Sequence, residues 1–389
     1  MAQDTVQVTS KGAKRLRQGM PWVFRVDVAR ATEAPSGAVV RVADPQGNFI
    51  GQAFWAHRSP IALRLLTRRD EKVDTAFFKA RLQAALDRRQ ALFPGADAFR
   101  VVHGESDLLP GLIVDKFADG VTIQSISEGM ASREAETVQL LDELLSPRLI
   151  ALRNDTSARE FEQLPRESRL AKGQGPAAVE YHEGRNLFAI DLMEDLKTGA
   201  FLDQRENHLR AADYAKGEGL DCFTYHGGFA LSLASGGCKH VIAVDQLEAA
   251  AQKAAANAGR NGLTHVEARC ANAFDLLREF EKEGRRFDVV VIDPPAFAKR
   301  KEGIPAAERA YKDLNLRALK ILNKEGILIS CSCSGKMTPE LFGRVLQSAI
   351  EDSKRNVQFL EKRAAGRDHP GFAGMPEADY LKCWVMRVV

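Results

Sequence analysis

The stretch Asp288-Val289-Val290-Val291-Ile292-Asp293-Pro294-Pro295-Ala296-Phe297 decides how this chain is read. Four consecutive β-branched residues, with no polar residue alternating among them, spell a short strand buried on both faces. Such strands belong to parallel sheets covered by helices. The double proline ends the strand abruptly. Proline fixes φ and removes a backbone donor, so Asp293 and the neighbouring carbonyls face the strand's carboxyl end in a stiff pose. In open α/β sheets, that edge is where ligands bind.

Working outward, strands are predicted at 219–223, 240–244, 265–269, 287–292 and 326–332, with helices at 227–236, 247–261, 272–283 and 305–324. Regular alternation of this kind predicts a doubly wound, parallel, Rossmann-like α/β domain over residues 191–389. The first strand leads into Gly227-Gly228, a pair that permits a tight turn and close approach of a ligand. No GxGxxG fingerprint is present, which argues against a pyrophosphate cradle and so against a nicotinamide-dependent oxidoreductase. The second strand ends in Asp245, placed either to accept ribose hydroxyls or to cap the next helix. Asn272, after the third, either hydrogen-bonds an adenine edge or caps its helix. Three such strand ends together suit S-adenosylmethionine.

The aspartate–double proline–aromatic motif at Asp293, Pro294, Pro295 and Phe297 reads as base recognition by methyltransferases that act on planar nitrogen heterocycles; a purely structural turn is the plainer alternative. Cys333 falls at the end of the last predicted strand, whereas Cys331 reads as an ordinary core cysteine. A thiolate there has a chemical use. C5 of a pyrimidine is a poor nucleophile until a thiolate adds at C6 and converts the ring to an enamine. Asp293 would then hydrogen-bond or protonate N3, and the base must leave its stack to be reached. Lys299, Arg300 and Lys301, just beyond the prolines, are candidate phosphate contacts or simply a solvated loop.

The remainder of the chain predicts two further parts. Residues 1–70 carry short strand-like runs at 38–42, 49–54 and 61–66, a small β-barrel pattern, and their first 30 residues hold six Lys and Arg against Asp4 and Asp27. Residues 71–190 open with a helical pattern at 72–92 and continue as a small α/β region around Leu109-Pro110-Gly111. Six cysteines, all after residue 221 and none in a CxxC pair, exclude an extracellular disulfide framework and a zinc site. A net charge of +3 permits a nucleic-acid partner without demanding one. Without an apolar leader or a long apolar run, the expectation is a cytoplasmic protein that does not enter a membrane.

Gly19-Met20-Pro21-Trp22-Val23-Phe24, His103-Gly104-Glu105-Ser106-Asp107-Leu108-Leu109-Pro110-Gly111, Lys197-Thr198-Gly199-Ala200-Phe201-Leu202-Asp203-Gln204-Arg205 and Ser332-Cys333-Ser334-Gly335 together resemble the RlmI-type, PUA-containing class I methyltransferases that form 5-methylcytosine in large-subunit ribosomal RNA. The resemblance covers nearly the whole chain. It implies a PUA-like RNA-binding barrel, a central α/β domain and a methyltransferase domain, with S-adenosylmethionine as cofactor, RNA as partner and a homodimer as a compatible assembly. It implies Cys333 and Asp293 as catalytic residues. Cofactor contacts are expected from Phe201, Gln204, Asp221, Phe223, Tyr225, Gly227, Asp245, Asn272, Ala273, Asp293 and Pro294, and substrate contacts from Pro295, Phe297, Lys299 and Arg300. His226 stands where the family usually has a small hydroxyl residue, and Asn272 where it usually has aspartate. An aminomethyltransferase acting on guanine or adenine, or a noncatalytic RNA-binding assembly factor, would share much of this pattern; the cysteine separates the first, and binding of S-adenosylmethionine separates the second.

Overall fold

The computed structural model describes residues 4–298 and 300–389. They form two compact units: Met1–Tyr181 with Ile190–Leu202 and Asp368–Ala378, and His182–Ala189 with Asp203–Arg367 and Asp379–Val389.

In the first unit, six strands form one sheet in the order Trp22–Phe24, Ile61–Thr67, Phe49–Trp55, Val39–Ala43, Thr5–Val8, Val28–Arg30. Its two edge strands are consecutive in sequence and joined only by the short turn Arg25–Asp27, so the sheet must curl back on itself. Val6, Val8, Leu16, Val40, Val42, Trp55 and Leu63 fill the interior. A second sheet of five strands, from Ala98–His103 to Ser168–Lys172, carries the helices Thr75–Leu92 and Glu134–Leu145. The first of these helices starts where Asp74 accepts hydrogen bonds from Ala76 N and Phe77 N. The two parts share a core, for Phe54 and Leu66 of the curled sheet lie in the cluster that contains Phe78, Leu82 and Val114.

The second unit is built on a seven-stranded sheet: β1 (Glu218–Cys222), β2 (His240–Asp245), β3 (Val266–Cys270), β4 (Phe287–Ile292), β5 (Leu322–Ser332), β6 (Val357–Arg363) and β7 (Lys382–Val388). Its order is β3-β2-β1-β4-β5-β7-β6. Strands β1 to β5 run parallel, as expected, while β7 is antiparallel to both neighbours. Val289, Val290, Val291 and Ile292 are each 0% exposed, because helices cover both faces. Each such side chain contributes about 1.5–3 kcal/mol of burial.

The helices of this unit are α1 (Arg205–Ala211), α2 (Gly228–Gly236), α3 (Glu248–Arg260), α4 (Ala273–Glu283), α5 (Ile304–Ile321) and α6 (Pro339–Ser353). In α4, Leu276, Leu277 and Phe280 face the core, and Gly284 ends the helix in the left-handed conformation at φ +71°. The helix predicted over 305–324 stops at Ile321, and β5 begins at Leu322 rather than at 326. The cause is local: β5 opens with a register shift against β4, with Glu325 at φ +62° beside Gly326, so the irregular start hides the strand from periodicity.

Candidate active site

The register of the sheet brings the carboxyl ends of β1, β2, β4 and β5 to one edge, since Cys222 pairs with Val244 and with Ile292, and Ile292 with Ser330. Strand β5 continues two residues past that last pair, so that Cys333 emerges beside the loop that follows β4. The Cys333 Sγ donates to the carbonyl oxygen of Pro294 at 3.8 Å. Cys333 is half-buried, whereas Cys331 is fully buried and burial pushes its thiol pKa well up. Of the two cysteines, only Cys333 combines access with the double-proline turn.

Asp293 is held from the other side. Gln204 Nε2 donates to Asp293 Oδ2 at 3.0 Å, and Gln204 Oε1 accepts from Asn207 Nδ2 at 2.7 Å. Gln204 is 2% exposed, so this contact is fixed before any ligand arrives. Pro295 is exposed, and the Phe297 ring lies 5.0 Å from that of Tyr311 and 6.3 Å from that of Phe274. Phe297 is partly committed to the core, which leaves part of its face for a base. Arg300 is exposed, and Lys299 lies outside the described residues.

At the end of β1, Asp221 Oδ2 accepts from Thr224 Oγ1 at 2.6 Å and from Ala230 N at 3.0 Å. Its Oδ1 is buried and, among the described residues, without a partner. Burial pushes the Asp221 pKa up to about 7, against the hydrogen bond from Thr224 and the charge of His208, which pull it down. An orphaned carboxylate oxygen at the mouth of the glycine loop fits the amino group of an amino-acid-bearing cofactor.

Phe223 and Tyr225 adopt φ +69° and +50°, and Gly227 φ +90°, so three left-handed residues fold the loop back before α2. The glycines are required by the protein as much as by a ligand. A Cβ on Gly227 would stand 2.6 Å from Leu231 Cδ1, and one on Gly228 only 2.3 Å from His208 Cε1. His226 stacks on Tyr225 with ring centroids 3.6 Å apart and planes 12° from parallel. Burial lowers its pKa to about 4, so it offers a neutral ring in place of a hydroxyl.

Asp245 ends β2 and accepts from Tyr225 N through Oδ2 and from Leu247 N through Oδ1, each at 3.0 Å. It thereby ties the glycine loop to β2, and a carboxylate retains further acceptor sites for ribose hydroxyls. Asn272 is the N-cap of α4: its oxygen accepts from Phe274 N at 2.9 Å and Asp275 N at 3.4 Å. With the oxygen so engaged, the amide NH2 is the part left to meet an adenine ring nitrogen. Ala273 begins α4 and is buried. Phe201 belongs to the first unit, where Lys197 Nζ lies 4.0 Å from its ring centroid; it is not among the residues that the second unit gathers.

Sequence reasoning passed over His208, whose Nδ1 donates to Glu183 Oε1 at 2.6 Å beneath the glycine turn. Only the fold brings these two residues, 25 positions apart, together. It also passed over Lys382, whose signal was available: it is the one charge in Leu381-Lys382-Cys383-Trp384-Val385-Met386.

A profile of PUA-like domains matches residues 6–68, and a profile of methyltransferase domains matches residues 207–372. The chain is 38% identical over 395 residues to ribosomal RNA large subunit methyltransferase I of Tolumonas auensis, covering 99% of each. It is 37% identical to the protein of that name from Escherichia coli, covering 98% of this chain and 99% of the relative. Among solved structures, a Streptococcus mutans protein described as a SAM-dependent methyltransferase has a TM-score of 0.82 at 20% identity, covering 99% of this chain and all of its own. A methyltransferase complexed with SAH has a TM-score of 0.85 at 21% identity and covers 99% of this chain. At such identities these two structures speak for the fold.

Proposed function

The chain belongs to the ribosomal RNA large subunit methyltransferase I family, and from that membership we propose that it methylates C5 of a cytosine in large-subunit ribosomal RNA through a transient bond from Cys333. It is an S-adenosylmethionine-dependent RNA methyltransferase. The cofactor, when bound, supplies an electrophilic methyl group on a sulfonium. We assign its amino group to Asp221, its ribose to Asp245 and its adenine edge to Asn272 and Ala273, with Phe223, Tyr225, Gly227 and Pro294 shaping the pocket and Gln204 completing it.

The observation that carries the cytosine reading is the 3.8 Å contact between Cys333 Sγ and the Pro294 carbonyl. It places the accessible thiol against the turn that presents Asp293. In the proposed reaction the Cys333 thiolate adds to C6, and Asp293, as the carboxylic acid, donates a hydrogen bond to N3 as negative charge develops on the ring. C5 thereby gains the electron density it needs to accept a methyl group. Loss of the C5 proton to a base then expels the thiolate and restores the aromatic ring. Methylation of an exocyclic amine would need no such sulfur. Pro295, Phe297, Lys299 and Arg300 would hold the extruded nucleotide and its phosphates.

We further propose that residues 1–70 form the RNA-binding PUA-like part, 71–190 a central part and 191–389 the methyltransferase. A hydrophobic cluster drawn from residues 1–70 alone, with Val6, Val40, Trp55 and Leu63 among its members, supports the first boundary.

Mass-spectrometric mapping of modified nucleotides in large-subunit ribosomal RNA, from cells with and without this protein, tests the reading. Loss of 5-methylcytosine at one position is expected. Loss of an N-methylated purine instead would transfer the assignment to the amine-methylating class.

A further inference from the structure

Lys382 opens β7 and is 3% exposed. In the sheet it pairs with Ser332, the residue before the proposed nucleophile. Its Nζ donates to the carbonyl oxygens of Ser334 at 2.8 Å and Tyr380 at 2.7 Å. Ser332 and Ser334 flank Cys333, so the lysine is anchored on both sides of the sulfur-bearing residue. Two carbonyls use two of the three donors of an ammonium. Among the described residues no carboxylate forms an ion pair with it.

A buried cation without a counter-ion is expensive, and proteins that keep one in place generally use it. Burial does lower the Lys382 pKa, to about 8, while the nearby Cys333 and Asp379 pull it up. Other titratable groups close to Cys333 are Asp293 at the end of β4 and Tyr311 on α5, whose phenol burial pushes up to about 12. Neither the Asp293 carboxyl nor a neutral phenol contributes positive charge, so among these neighbours Lys382 is the one that supplies it.

We propose that Lys382 is a positioning residue for the reaction: its ammonium, fixed by the Ser334 and Tyr380 carbonyls, is the counter-charge that holds Cys333 as a thiolate. The thiol proton passes to solvent, and no bond forms between nitrogen and sulfur. The same charge favours departure of the sulfur when the ring is released. This inference rests on the reading of Cys333 as the nucleophile.

The test is the pH profile of Cys333 alkylation by iodoacetamide in the full-length protein, read by peptide mass spectrometry. Lys382→Gln keeps donors for the two carbonyls and removes the charge. It should raise the alkylation midpoint by roughly one pH unit or more and lower kcat at least about tenfold, with KM for S-adenosylmethionine little changed. An unaltered midpoint overturns the proposal. If the glutamine variant does not fold, Lys382→Arg carries the test: the charge is kept, so the midpoint must stay near that of the wild type, and a rise as large as that expected on charge removal overturns the proposal. Cys333→Ala distinguishes the two levels of the argument. Continued methylation by that variant removes the nucleophile itself; its inactivity, with an unaltered profile in Lys382→Gln, removes Lys382 alone.

Discussion

The thiol of Cys333 and the carbonyl of Pro294 lie 3.8 Å apart although 39 residues separate them in the chain. The contact exists because β4 and β5 are adjacent parallel strands and β5 runs beyond its last paired residue. The proposed nucleophile from one strand end and the carboxyl group of Asp293 from the next are thus presented at a single edge, with Gln204 holding Asp293 from behind at 3.0 Å. The sheet supplies the geometry, and the loops supply the chemistry.

The proposed contact of Asp221 with the cofactor carries a pH signature. The Asp221 pKa stands at about 7 in the ligand-free chain, and an ammonium partner favours the ionised form, so binding must expel a proton below that pH. Affinity for S-adenosylmethionine, measured by calorimetry, should weaken about tenfold per pH unit from pH 7 to pH 5 and level off above. Asp221→Asn should bind weakly and lose the slope. The linked effect on stability has the opposite sense. A raised carboxyl pKa contributes stability that is complete below the unfolded value and lost as pH rises through about 7, so the ligand-free asparagine variant should gain on the wild type at pH 8.

The buried pair of His208 and Glu183 makes a second pH prediction. Burial alone would push the His208 pKa down, but the Glu183 carboxylate at 2.6 Å, with Asp293 and Asp221 nearby, holds it above its ordinary value. The stabilisation is therefore present below about pH 6.5 and is lost as pH rises through the folded-state value. Glu183→Gln should cost about 3 kcal/mol in urea unfolding at pH 6 and clearly less at pH 9. Equal penalties at both pH values would show that the histidine is not charged.

Removing residues 1–70 is a poor test of RNA binding by the curled sheet. Phe54 and Leu66 belong to the core of the adjoining part. Arg64 pairs at 2.7 Å with both Glu105 and Glu162, and truncation would leave Glu162 buried without its cation. Point substitution on the exposed side of the helix Ser10–Arg17 avoids this damage. Lys11→Gln with Lys14→Gln should weaken RNA binding and reduce the salt-dependence slope by about 1.4 if both lysines neutralise phosphates of a single strand. Calorimetric affinity for S-adenosylmethionine should not move. An unchanged slope would place the RNA elsewhere.

Much of this architecture could be read from the chain. The unbroken Val289–Ile292 run and the glycine pair located β4 and the turn into α2, and Asn272 was legible as a helix start. What escaped has physical reasons. Strand β6 is an edge strand with a largely exposed face, so Val357-Gln358-Phe359-Leu360-Glu361-Lys362-Arg363 carries too much charge to read as sheet. The antiparallel β7 followed it out of view. The left-handed backbone at Phe223 and Tyr225 leaves no mark on residue type. The Gln204–Asp293 bond joins residues 89 apart, and His208 beneath Gly228 needs the folded packing to be seen.

The most direct measurement of the central claim uses large-subunit ribosomal RNA in which cytidine is replaced by 5-fluorocytidine. Fluorine at C5 cannot leave as a proton does, so the adduct formed by the attacking sulfur should persist after methyl transfer. Incubated with S-adenosylmethionine, the wild-type protein should give a denaturation-stable protein–RNA complex whose crosslinked peptide contains Cys333, and Cys333→Ala should give none while still binding the cofactor. Methylation of ordinary RNA without any trapped complex, or a complex that survives the alanine substitution, would contradict the account.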